Sequence, residues 1–77
     1  MKNYLSRIII DPEICHGKPI IKGTRQTVES IIEYMAAGDT SEDIIKEFPE
    51  LSKEDILACL AFAAKSIQLK DIEIPAA

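Results

Sequence analysis

The chain has 77 residues, a formal net charge of −4, 47% hydrophobic and 29% charged residues, and no tryptophan; a single domain of this size buries only about 60% of its unfolded surface and invites self-association or a protein partner. No apolar run approaches the roughly 20 residues of a membrane span, and Met1-Lys2-Asn3-Tyr4 leads into no signal-peptide core, so the expected location is cytoplasmic, with no membrane partner. The two cysteines differ in setting, Cys15 among glycine and proline and Cys59 inside an apolar run, which excludes a disulfide framework.

Arg7-Ile8-Ile9-Ile10 is β-branched and is cut off by Asp11-Pro12, a turn-initiating pair, so it reads as a short strand. Pro19-Ile20-Ile21-Lys22 reads as a second, punctuated by Gly17 and Gly23, and the two form a hairpin joined by residues 11–18. Gly17 and Gly23 are assigned positive φ, Pro19 an extended entry to the strand, and Thr24 and Thr27 the satisfaction of backbone groups where strand becomes helix. This head, residues 1–26, is basic. Residues 1–25 hold five cations, Lys2, Arg7, Lys18, Lys22 and Arg25, against Asp11 and Glu13, whereas residues 26–77 hold four lysines against eleven carboxylates. A polyanion or acidic partner therefore meets the head first.

From Thr27 the period changes to 3.6. Val28, Ile31, Ile32 and Met35 share one face, Thr27 is the N-cap and Gly38 follows the C-terminus. Thr40 and Ser52 each precede an aspartate by three residues, Asp43 and Asp55, the spacing of a capping box. Helices are thus expected from Ser41, ending at Pro49, and over about 53–69, with Leu51 and Ile56 as a hydrophobic staple. Residues 27–69 form a three-helix unit and 70–77 an extended tail, all within one domain, 1–77. The fold class is mainly α: a trihelical, helix-turn-helix-like (homeodomain-like) bundle with a short N-terminal β-hairpin. Ile56 to Ala64 is apolar without interruption, so the last helix is apolar all round. Two preceding helices are expected to cover Ile56, Leu57, Leu60 and Ala64, leaving Cys59, Phe62, Ala63 and Ile67 to meet another chain, in a homodimer or with a partner protein.

Site chemistry is sparse. A helix-turn-helix would place the first turn of the last helix in a major groove, yet Lys53, Glu54 and Asp55 supply no bidentate base contact. DNA binding, if any, falls on Arg7, Lys18, Lys22 and Arg25 and is weak for the protein alone. Five residues separate Gly17 from Gly23, one more than a P-loop has, and Thr24 follows directly where a lysine is required. Cys15 and His16 are adjacent and lack an orienting third group. A zinc site would need more soft ligands than Cys15, His16 and the packed Cys59. Neither catalysis, metal nor cofactor is expected. Arg25, a cation near a helix start, needs a carboxylate such as Asp11 or an external anion, and is the favoured contact residue.

The stretch from Ile8 to Ala64 resembles the small bacterial family catalogued as domain-of-unknown-function family 433. The resemblance rests on Asp11-Pro12, on Gly17-Lys18-Pro19-x-Ile21-x-Gly23-Thr24-Arg25, on a helix ending Ala37-Gly38, and on Pro49-x-Leu51 before the last helix. Members resemble homeodomain-like trihelical units, and many are similar to antitoxins paired with a small PIN-type nuclease toxin. The resemblance implies a non-enzymatic antitoxin-like protein that neutralises such a toxin, with autoregulatory DNA binding as a secondary role; the alternative is a DNA-binding transcriptional regulator without a toxin.

Overall fold

A computed structural model describes residues 4–68. In chain order these form a 3₁₀ turn (Tyr4–Arg7), β1 (Ile8–Ile9), a tight turn (Cys15–Gly17), β2 (Ile20–Ile21), α1 (Val28–Ala36), α2 (Ser41–Glu47) and α3 (Lys53–Gln68). The expected hairpin and three helices are present. The tail expected over 70–77, and Leu69 at the end of the last helix, lie outside the described residues. No helix among the described residues is long and apolar enough to cross a membrane.

Each helix starts where its cap dictates. The Ser30 N–H donates to Thr27 Oγ1 at 3.1 Å, which opens α1. At α2 the Asp43 N–H donates to Thr40 Oγ1 (3.1 Å) while the Thr40 N–H donates to Asp43 Oδ2 (2.9 Å). Ser52 and Asp55 repeat the exchange at α3, at 2.9 and 3.3 Å. Reciprocal pairs of this kind satisfy helix-end N–H groups that would otherwise lack partners.

β1 and β2 are antiparallel, with Ile8 opposite Ile21 and Ile9 opposite Ile20. A two-stranded sheet is unstable alone, and here one face of it is absorbed into the helical core. Ile20, Ile21, Val28, Ile31, Ile44, Leu51, Ile56, Ala58 and Cys59 are buried. The staple pair Leu51 and Ile56 both belong to that cluster.

Two expectations for α3 are corrected. Cys59 does not face another chain; it is 0% exposed, inside the core of its own. Leu60 and Ala64, expected to be covered, are exposed. The reason is the N-terminal segment: the 3₁₀ turn and β1 pack against α3 alongside α1 and α2, covering a face that two helices alone cannot. Phe62 accordingly packs against the core and borders an apolar groove with Leu5 and Ile8, Ala63 is half-buried, and Ile67 remains exposed.

Candidate functional site

The distinctive local structure lies between the strands. Asp11 opens it as a side-chain turn, its Oδ1 accepting from the Glu13 N–H (2.9 Å) while its carbonyl accepts from the Ile14 N–H (3.0 Å). After Pro12 the chain passes through three successive left-handed residues, Cys15 (φ 51), His16 (φ 58) and Gly17 (φ 76). Glycine adopts that conformation freely, whereas a side chain costs about 1–2 kcal/mol per residue. A Cβ on Gly17 would lie 3.8 Å from Pro12 Cα, an ordinary contact, so backbone angle and not space selects glycine there. The Gly17 N–H to Ile14 carbonyl and Lys18 N–H to Cys15 carbonyl bonds, both 3.1 Å, hold the turn. The Cys15 thiol donates to the Arg25 carbonyl at 3.4 Å and ties it to the next loop.

That next loop carries Lys22 and Arg25. Thr24 organises it: its hydroxyl donates to the Ile21 carbonyl (2.9 Å) and accepts from the Gln26 N–H (3.0 Å). Gly23 sits at φ 84, and the Ile21 N–H closes the loop on the Gln26 carbonyl at 3.0 Å. The Val28 N–H donates to the Pro19 carbonyl at 3.0 Å, so the start of α1 is anchored to the beginning of β2. Lys22 and Arg25 are thereby held exposed on a short, internally bonded loop.

Of the four cations proposed as anion contacts, two are already engaged. Arg7 Nη1 donates to Asp55 Oδ1 at 3.1 Å, across 48 residues, joining the head to the first turn of α3. Lys18 Nζ donates to Glu29 Oε1 at 2.9 Å, and that hydrogen bond, with the attraction of the Glu29 charge, raises the lysine pKa above its ordinary value. Arg7 and Lys18, expected as partner or anion contacts, are thus each shared with a carboxylate of the chain itself. Lys22 and Arg25 have no carboxylate in ion-pair range among the described residues, Asp11 included. Arg25 borders a groove of ≈ 520 Å³ floored by Ile9, Ile14 and Ile20, with Glu50 on its rim.

Elsewhere chemistry is thin. Asp39, Asp43 and Glu47 surround a shallow cleft beside Tyr34 and Phe48, whose rings lie 5.7 Å apart and tilted. Among the described residues no group of three or more His, Cys, Asp or Glu side chains could hold a metal ion. Cys59 is pushed up to about 11, first by burial and then by the nearby Asp55 charge, which leaves its thiol protonated and unreactive at neutral pH.

The model of the family described as "Protein of unknown function (DUF433)" matches residues 8–63, from the first residue of β1 into the second half of α3. The chain belongs to the DUF433 family. Its structure is similar to the crystal structure of a DUF433 member protein from Anabaena variabilis ATCC 29413, with a TM-score of 0.76 and 25% identity. That match covers 82% of this chain and 62% of the other, so the chain spans under two thirds of its neighbour's length. No curated protein matches the chain.

The DUF433 match takes in Asp11, Pro12, Gly17, Pro19, Gly23 and Thr24, the residues expected to shape the head; the hydrogen bonds above give Asp11 and Thr24 their work, and positive φ gives Gly17 and Gly23 theirs. Sequence reading missed the left-handed φ of Cys15 and His16. Gly17 signals such a turn for itself alone. It also missed Asp55 as an ion-pair partner, because only the folded chain brings residues 7 and 55 together.

Proposed function

We propose that this DUF433 protein is a non-enzymatic, antitoxin-like partner protein that binds and neutralises a PIN-type nuclease, engaging it through Lys22 and Arg25. The observation behind this reading is the internally bonded loop that presents two cations with no carboxylate in ion-pair range among the described residues, beside a groove lined in part by Ile9, Ile14 and Ile20. Arg7 and Lys18 have been drawn into the fold's own ion pairs, and Lys22 and Arg25 remain for an external anion. A planar guanidinium pairs a carboxylate with two parallel hydrogen bonds, and the metal-holding acidic pocket implied for PIN-type nucleases offers carboxylates in quantity. Apolar side chains of the groove beside Arg25 exclude water and strengthen such a pair. The alternative, a sequence-reading DNA regulator, draws less support: Asp55 is committed to its cap and to Arg7, leaving exposed Lys53 and half-buried Glu54 as the polar side chains of the α3 first turn.

The test is capture of the tagged protein from its native cells at moderate salt, with wild type and Arg25→Glu side by side. Recovery of a stoichiometric small nuclease by wild type, and its loss with Arg25→Glu, is expected. Equal recovery by both proteins removes the charge-pairing argument. DNA without a protein partner, bound with an affinity that falls steeply with salt, replaces the antitoxin reading with the regulator.

A further inference from the structure

The exposed face of α3 has a regular pattern. Leu57, Leu60, Ala64 and Ile67 follow one another at intervals of three, four and three residues, the spacing of a coiled-coil seam. Leu57 is half-buried, Leu60 is 45% and Ile67 58% exposed, and Ala64 is exposed. The opposite side of the helix, with Ile56 and Cys59, is fully occupied by the core. One helix therefore carries two apolar faces, and the chain itself covers one.

We infer that this seam is covered by the same seam of a second copy, the two α3 helices running antiparallel about a twofold axis that passes through the seam between Leu60 and Ala64. Charge and size select both occupant and direction. Lys53 stands four residues before Leu57 and continues the seam; a parallel pair would press Lys53 against its own copy and align the two helix dipoles unfavourably. The antiparallel pair instead carries Lys53 to the carbonyl end of the other helix, where a cation is favoured. It sets Glu54 beside Gln68 of the second copy, a carboxylate facing an amide donor. Leu57 then meets Ile67 and Leu60 meets Ala64, large against small, while Ala61 approaches its own copy at the centre and lets the helices pack closely. The surface involved is one face of a 16-residue helix, at the small end for a specific contact, so the dimer is a concentration-dependent one. This inference does not depend on the antitoxin reading.

Sedimentation velocity across a concentration series, on the purified full chain, is expected to show a monomer–dimer equilibrium that Leu60→Glu weakens by about tenfold or more, since a carboxylate would be buried at the seam. Thiol cross-linking in a Cys15→Ser background reads the direction and does not depend on that variant folding. Ala61→Cys is expected to form a disulfide dimer by itself. Ile67→Cys is expected to form none by itself, its two copies lying ten residues apart along the axis, about 15 Å at 1.5 Å per residue, but to cross-link when mixed with Leu57→Cys. A monomer at every concentration, a dimer untouched by Leu60→Glu, or efficient self-cross-linking of Ile67→Cys overturns the inference.

Discussion

Replacing Asp55 with alanine strikes the point where head and helices are fastened together. The side chain is 12% exposed, and its two oxygens are divided between the Ser52 N–H at 2.9 Å and Arg7 Nη1 at 3.1 Å. Losing the capping-box acceptor costs about 1 kcal/mol. The ion pair is worth less than a buried one, because the Arg7 side chain is 45% exposed and water screens it; about 0.5–1 kcal/mol is appropriate. Together they give about 2 kcal/mol, a large share of the roughly 5 kcal/mol expected of a domain this small. In urea, with a slope of about 1 kcal/mol/M, the midpoint falls by about 2 M. Asp55→Asn keeps an oxygen for Ser52 and should recover about half of the loss. A double-mutant cycle with Arg7→Ala isolates the pair, with a coupling of about 0.5–1 kcal/mol. A midpoint for Asp55→Ala within about 0.5 M of wild type, or a coupling of zero, would refute the account of how the head is held.

His16→Gly relieves a left-handed residue that carries a side chain (φ 58) and should stabilise the protein by about 1 kcal/mol in the same urea assay. Titration with an aromatic disulfide near pH 8 should detect Cys15 in the native protein and Cys59 only after denaturation, since burial raises the Cys59 thiol to about 11. Asp43, whose carboxylate accepts from the Thr40 N–H first and is further favoured by the Thr40 hydroxyl, is held below its ordinary 3.8. A lowered acid contributes stability above its unfolded value and loses it as pH falls through the folded one. The acid limb of an unfolding curve below about pH 4 should therefore flatten in Asp43→Asn.

The helices were legible because their signals are local. Thr27, Thr40 and Ser52 cap within three residues of themselves, Pro49 stops α2, and the apolar face of α1 repeats over two turns. The hairpin was legible from β-branched runs bounded by Asp11-Pro12 and by glycines. What the sequence concealed is contact at a distance. Tyr4–Arg7 is too short to show any periodicity, so nothing in it announces that it lies on α3. The candidate site divides in the same way. Lys22, expected at the end of the second strand, lies instead on the exposed loop with Arg25, and Arg7 and Lys18 looked identical to them until Asp55 and Glu29 arrived from 48 and 11 residues away.

The packing of Tyr4–Ile9 onto α3 also governs when this protein can come into being. A ribosome releases the head first, yet the core cluster its strands join is incomplete until Ile56 and Cys59 have emerged. Nascent chains halted after α2 would hold a lone hairpin and two short helices, none of them stable in isolation. Folding is therefore concerted: a chain truncated anywhere upstream of α3 holds only elements that are unstable in isolation, open to proteases along its whole length.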